Sequence, residues 1–238
     1  SLWRRREALL AAELDHWYTD DVADLEAGWT PAVTEAVFGR ARADSDDRGR
    51  SSVEVRYPVT TSAGGRELLL SGSIDRIDTG RGTQRVTDYK TGKAPGKNDR
   101  PSTDDPTLAG TRFQLPLYAA AAEAITVAQD DPARPVSEVR YWYCTEKGGF
   151  ESVTLAVTDE VLERVRADVG NLVDAIERGW FPLKGGRGSA RDLADLLGGA
   201  ELDRAWERLS RHEPVRSHPA FAGIVVPDPD ATRSEENR

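Results

Sequence analysis

At 238 residues, with 38% hydrophobic and 31% charged side chains, the chain is long enough for one well-buried domain and an appendage. Its net charge of −9 argues against gripping nucleic acid by bulk electrostatics, while leaving room for a local basic groove. The single cysteine, Cys144, excludes an internal disulfide framework or zinc cluster and points to a reducing, cytoplasmic setting; there is no apolar run of membrane-spanning length and no signal peptide.

In chain order, residues 2–27 have a helical pattern, with Leu9, Leu10, Leu14 and Trp17 at helical spacing, ended by Gly28 and Pro31. The chain opens inside this pattern and without a methionine, so it reads as part of something longer. Residues 33–39 read as a short strand, 40–51 as an exposed polar loop, and 53–59 as a half-buried strand alternating Val53, Val55 and Tyr57 with charges. A turn at 62–65 leads into a hairpin: strand 67–75, reversal through Asp78-Thr79-Gly80-Arg81-Gly82, and strand 83–90. A loop rich in Gly, Pro, Asp and Lys covers 92–110 and precedes an alanine-rich helix at 112–128, with Pro116 in its first turn. Strands at 136–145 and 150–157 flank Lys147-Gly148-Gly149, and Thr158 caps an amphipathic helix at 159–178, stopped by Gly179. Beyond it come a Gly-rich link at 185–188, a helical stretch at 190–211 and a tail expected to be disordered from Pro227. The order predicts one α+β (α/β/α) domain, a central mixed sheet flanked by helices.

The chemistry gathers on the hairpin. Side chains alternate along a strand, so Asp88 and Lys90 point one way and Tyr89 the other. In the simplest register Asp75 lies near Asp88, bringing two carboxylates and an ammonium to one sheet edge, a site for a divalent metal and a polarised water. Gln114 and Tyr118, four apart, share a helix face. Taken singly, D-x-K is more often a surface ion pair, and Tyr118 could equally be core; the second acid and the Gln/Tyr pair favour a site. Asp78 competes with Asp75 but reads better as a turn cap. Arg76, Arg85, Lys93, Lys97, Arg100 and Arg112 form either a solvated loop or a phosphate-tracking rim. Cys144, in a Tyr/Trp-rich strand, reads as core.

The ordered run G-x-I-D (Gly72 to Asp75), D-Y-K-T-G (Asp88 to Gly92) and Q-L-P-L-Y (Gln114 to Tyr118), with G-W-F-P at 179–182, resembles the nuclease domain of the RecB/AddB branch of the PD-(D/E)XK superfamily. The resemblance covers roughly residues 30–182 and implies a restriction-endonuclease-like core at 1–183, truncated at its N-terminal side, a helical appendage at 184–212 and a flexible tail at 213–238. It implies a Mg²⁺- or Mn²⁺-dependent deoxyribonuclease, more exonuclease than endonuclease, working beside a helicase in DNA end processing and break repair. Asp75, Asp88 and the backbone carbonyl of Tyr89 would hold the metal. Asp75, Asp88, Lys90, Gln114 and Tyr118 would form the catalytic set, and Arg76, Lys93, Lys97 and Arg112 would touch nucleic acid. The histidine that normally completes this metal site has no counterpart in the context of His16 and is expected upstream of Ser1; Glu35 is a possible supporting acid. Many relatives carry an iron–sulfur cluster on four cysteines; this chain has none after Cys144, so no cluster is expected. The alternatives are a binding module that keeps the fold without cleavage, and a stand-alone defence nuclease.

Overall fold

The computed structural model describes residues 2–39, 53–128, 134–180 and a few isolated positions between 204 and 212. The link, appendage and tail expected beyond 183 lie almost wholly outside the described residues. The chain divides into two compact units, Ser1–Thr60 with Gly64–Ala167, and Thr61–Ala63 with Asp168–Arg238.

The first unit is built on a five-stranded sheet. Its strands are β1 (Thr30–Phe38), β4 (Gly72–Gly80), β5 (Thr83–Lys90), β6 (Val136–Tyr143) and β7 (Glu151–Ala156), in the order β1-β4-β5-β6-β7. β5 and β6 are parallel and the other neighbours antiparallel. This is the mixed sheet expected from the sequence. The parallel pair needs a crossover, supplied by the loop after β5 and helix α2 (Gln114–Ala128). The leucine-rich segment expected as one strand at 67–75 is two. Its first part belongs to β3 (Gly64–Leu70), which pairs with β2 (Val55–Thr61) in a separate two-stranded sheet, and Ser71 breaks it from β4.

β5 is covered on both faces, so its residues are buried from Gln84 to Asp88. On one face Val86, with Ile77 of β4 and Val139 of β6 beside it in register, forms an apolar floor. α2 packs over β5 and β6 and buries Leu115, Ala119, Ala122 and Ile125. Gln84 at the far end of this face donates from Nε2 to Thr126 Oγ1 and Arg134 O, each at 2.8 Å.

The other face is polar and aromatic, and it dictates what helix α1 (Leu2–Glu26) presents. Leu9, Leu10 and Leu14, read from spacing as the helix's apolar positions, are 46–57% exposed. Of the four positions read from spacing only Trp17 turns to the sheet, joined there by Asp21 and Asp24. Trp17 stacks on Tyr89 with centroids 5.2 Å apart, tilts against Trp142 at the same distance, and donates from Nε1 to Cys144 O at 2.7 Å. Asp24 receives a bidentate fork from Arg85 (2.8 and 2.6 Å) and a third bond from Arg140 (2.7 Å); Asp21 pairs with Arg76. Burial alone would raise the Asp24 carboxyl, but the bonds from Arg85 and Arg140 outweigh it and hold it below the usual range.

At the centre of this face Asp78 is fully buried. Its Oδ1 accepts from Arg76 Nε at 2.5 Å and its Oδ2 from Arg85 Nε and Nη2 at 3.1 and 2.8 Å. Asp78 is therefore no turn cap: β4 runs on to Gly80, and the reversal is made by Arg81 and Gly82 alone, both with left-handed φ (54° and 78°) as a tight two-residue hairpin requires. Gly80 itself is needed for close approach. A Cβ there would lie 2.3 Å from Gly28 O and 3.0 Å from the Trp29 ring, and the former is backbone. Gly80→Ala is expected to destabilise the fold by about 1–3 kcal/mol, read as a lower urea midpoint with unchanged slope; an unchanged midpoint would contradict this packing.

Helix α3 (Asp159–Glu177) is capped by Thr158, whose Oγ1 accepts Val161 N at 3.3 Å. Within the second unit, Asp174 accepts from Ser62 N at 3.1 Å and pairs with Arg178 at 3.1 Å. Among the described residues no helix is long and apolar enough to cross a membrane.

Candidate active site

The β4–β5 ladder ends at Arg76↔Thr87, and one step further in the same register Asp75 stands opposite Asp88. Partners across a ladder face the same way, so both carboxylates lie on the α2 face, with Tyr89 on the α1 face. Past the last rung Tyr89 N–H has no strand partner, and Asp75 Oδ2 accepts it at 2.8 Å. A residue's N–H and C=O point to the same side of a strand, so the Tyr89 carbonyl also opens toward Asp75. On the other side β5 keeps its parallel neighbour as far as Lys90↔Tyr143, and Lys90 O accepts Cys144 N at 3.0 Å.

Lys90 Nζ lies 2.5 Å from Asp88 Oδ2 and donates to Gln114 Oε1 at 3.1 Å. Gln114, the first residue of α2, donates from Nε2 to Tyr118 Oη at 3.0 Å, one turn on. Tyr118 is half-buried, its ring meeting Phe38 edge-on at 6.1 Å while its hydroxyl joins this cluster. Gln114 is placed by the loop before it. There Leu108, Ala109 and Gly110 take left-handed φ (50°, 51°, 75°), pinned by Ala109 N to Asp105 Oδ1 (2.8 Å) and Gly110 N to the buried Thr107 Oγ1 (3.1 Å).

The structure brings together Asp75, Asp88, Lys90, Gln114 and Tyr118; the simple hairpin register put Asp75 near Asp88, while the place of Gln114 and Tyr118 beside them was implied only by the family resemblance. Lys93, Lys97 and Arg112 are exposed nearby in sequence. Arg76 is not a rim residue: it is 5% exposed, on the opposite face, and consumed by Asp21 and Asp78. Arg85 is buried likewise, and Arg100 is tied to Glu151 (2.6 Å) and Pro95 O. For Arg76 and Arg85 the error has a physical origin, since β4 and β5 are covered on both faces and residues on either one turn inward. Glu35 stands opposite Asp75, between the pairs Thr34↔Arg76 and Ala36↔Ile74, exposed and with a left-handed φ of 50°. His16, on α1, stacks on Phe150 at 3.9 Å. Sequence reasoning missed Tyr141, read only as part of a strand. It stands beside Asp88 in the β5–β6 register, with Lys90 Nζ 4.9 Å from its ring centroid and its Oη 3.4 Å from Gln114 Oε1. Only the register of the parallel pair, which follows a crossover of unknown geometry, could have placed it.

Asp88 is 3% exposed and its Oδ2 has the lysine's charge but no well-formed hydrogen bond. Burial pushes its carboxyl above the ordinary range and the Asp75 charge adds to this; Lys90 offsets only part. A folded chain that holds this proton longer than the unfolded chain loses stability as the pH rises from the ordinary aspartate value through the raised one. Asp88→Asn is accordingly expected to melt higher than its parent at pH 7, with the difference closing as the pH falls toward 4. A lower melting temperature at pH 7 would contradict this balance. Burial likewise pushes the Tyr141 hydroxyl up to about 12, with Asp88 adding to it.

A carboxylate oxygen that is buried without a hydrogen bond, a second carboxylate opposite and a free-facing carbonyl make a hard-oxygen donor set, the kind that suits Mg²⁺ or Mn²⁺ retaining several waters. Among the described residues there is no cluster of three or more His, Cys, Asp or Glu, so waters or other donors would complete the shell. The profile of the PD-(D/E)XK nuclease superfamily matches residues 2–192. The chain belongs to that superfamily. PD-(D/E)XK proteins are generally nucleases dependent on divalent metal ions.

Proposed function

We propose that this chain is the nuclease module of a RecB/AddB-like helicase–nuclease, hydrolysing DNA phosphodiester bonds from free ends with Mg²⁺ or Mn²⁺ during break processing. The observation that carries the reading is the meeting of Asp75, Asp88, Lys90 and Gln114 at the open end of β5.

In this reading Asp75, Asp88 and the Tyr89 carbonyl hold the metal. When bound, such an ion lowers the pKa of a water and stabilises charge developing at phosphorus. Asp75 is fixed by Tyr89 N–H, which keeps one carboxylate oxygen turned to the site before any cation arrives. Lys90 moves from its contact with Asp88 to a phosphate oxygen or the attacking water, orienting the water and offsetting phosphate charge. Gln114 limits how far the ammonium can travel, and Tyr118 holds the amide. Lys93, Lys97 and Arg112 follow the substrate backbone.

The test is cleavage by the full-length chain with Mg²⁺ or Mn²⁺, on linear and on covalently closed circular duplexes. The expected result is metal-dependent loss of linear DNA with circles spared. Cleavage of both would replace end-dependent with internal cutting, and cleavage of neither would remove the nuclease reading.

A further inference from the structure

Lys90 is held by more than its ion pair. Its register neighbour across the parallel pair is Tyr143, but the ring beneath its ammonium belongs to Tyr141, the neighbour of Asp88, 4.9 Å from Nζ to centroid. That is inside the roughly 6 Å range in which a cation is attracted to an aromatic face. The same tyrosine reaches Gln114 Oε1 with its hydroxyl at 3.4 Å, the oxygen that accepts Lys90 Nζ at 3.1 Å. Gln114 Nε2 is already turned to Tyr118 Oη at 3.0 Å. A flipped amide would set two N–H donors against an ammonium, so the carbonyl end faces Lys90, and the Tyr141 hydroxyl donates to it from the side. Tyr141 is 5% exposed and braced edge-on by Tyr143 at 6.4 Å, so its ring cannot swing away.

We propose that Tyr141 is a positioning residue whose ring sets where the Lys90 ammonium rests. The proposal rests on the nuclease reading for its catalytic consequence, and the contact itself stands independently of it. A lysine has a flexible four-carbon stem, and without the ring the ammonium is left to Asp88 and Gln114 alone. The ring holds the charge over a fixed point between the two acids' edge and α2, and misplacing a reacting group by a fraction of its length is costly in rate.

The experiment uses the full-length chain with lysine-specific ¹³C labelling, the Lys90 signal being assigned with Lys90→Arg. In the metal-free parent, the Lys90 methylene signals next to the ammonium are expected upfield of the other lysines', as for groups over an aromatic face. Tyr141→Phe keeps that shift and Tyr141→Leu abolishes it, and near-UV circular dichroism checks that each variant is folded. In Mg²⁺-dependent cleavage Tyr141→Phe is expected within about threefold of the parent, and Tyr141→Leu about tenfold or more lower in kcat with KM unchanged. An unshifted Lys90 signal in the parent overturns the proposal without any substitution, as does a folded Tyr141→Leu that cleaves at the parental kcat. A parent that cleaves no DNA yet shows the shifted signal supports the contact and overturns the nuclease reading instead.

Discussion

Lys90→Ala in the full-length chain is expected to lower metal-dependent DNA cleavage by on the order of 10²–10⁴-fold while leaving the fold in place. Lys90 sits at the last position of β5, a third exposed, with its ammonium over the Tyr141 ring and between Asp88 and Gln114. Losing it removes no core volume. The Asp88 carboxyl, already raised by burial, is pushed further the same way without its lysine and can take up a proton. Stability therefore changes little, while the group proposed to steer the water is gone. Asp88→Ala should also abolish cleavage and, unlike Lys90→Ala, weaken Mg²⁺ or Mn²⁺ binding measured by calorimetry, because it removes an oxygen donor. The double variant should be no worse than either single one, as expected of groups that act as a unit. Parental cleavage by Lys90→Ala would show that D-Y-K is a well-placed ion pair and that the chemistry lies elsewhere.

The second large effect concerns the other face of the same strands. Asp78→Ala is expected to cost about 3–5 kcal/mol, a large part of the roughly 5–15 kcal/mol that holds a domain folded. Asp78 is fully buried between Arg76 and Arg85, themselves 5% and 3% exposed. Arg76 Nη2 already lacks a hydrogen-bond partner, so this cluster has no spare acceptor to absorb a loss. Removing the shared carboxylate leaves two guanidinium groups in the sheet, balanced by Asp21 and Asp24 of α1 and, at 3.8 Å from Arg85, by Glu138. Replacing Arg76, Asp78 and Arg85 together by apolar residues of similar volume should recover most of the loss, because the burden lies in the unpaired charges and not in the pair's absence. Urea unfolding of the single and triple variants decides it: a single variant within about 1 kcal/mol of the parent would mean that water reaches this face.

Apart from Tyr141, the α2 face was legible in the sequence and the arginine cluster of the α1 face was not. Asp88, Lys90, Gln114 and Tyr118 carry spacings of two and four that map directly onto a strand and a helix, and the simple hairpin register placed Asp75 opposite Asp88. On the α1 face the usual signal is inverted. Charged residues point inward and leucines outward, because arginines at 76, 85 and 140 call for carboxylates from the helix. A reading by hydropathy assigns Arg76 and Arg85 to the surface and Asp78 to a turn, and each is buried. The split of the 67–75 segment between two sheets was hidden as well, since leucine content does not say where a strand changes partners.

The two-residue turn at Arg81–Gly82 has a consequence for how this hairpin can vary in length. With the turn fixed, opposite positions stay opposite however long the arms become, so adding one residue to each arm between the turn and the acids would still leave the acids face to face. It would, however, rotate both to the α1 side, beneath Trp17 and away from Gln114. Only even additions to each arm keep the carboxylates on one side and the arginine cluster on the other. Natural variation between Asp75 and Asp88 should therefore obey a parity rule, with odd changes confined to the turn itself. A library of insertions scored for cleavage would display that rule as an alternation, active and inactive by turns with each added residue pair.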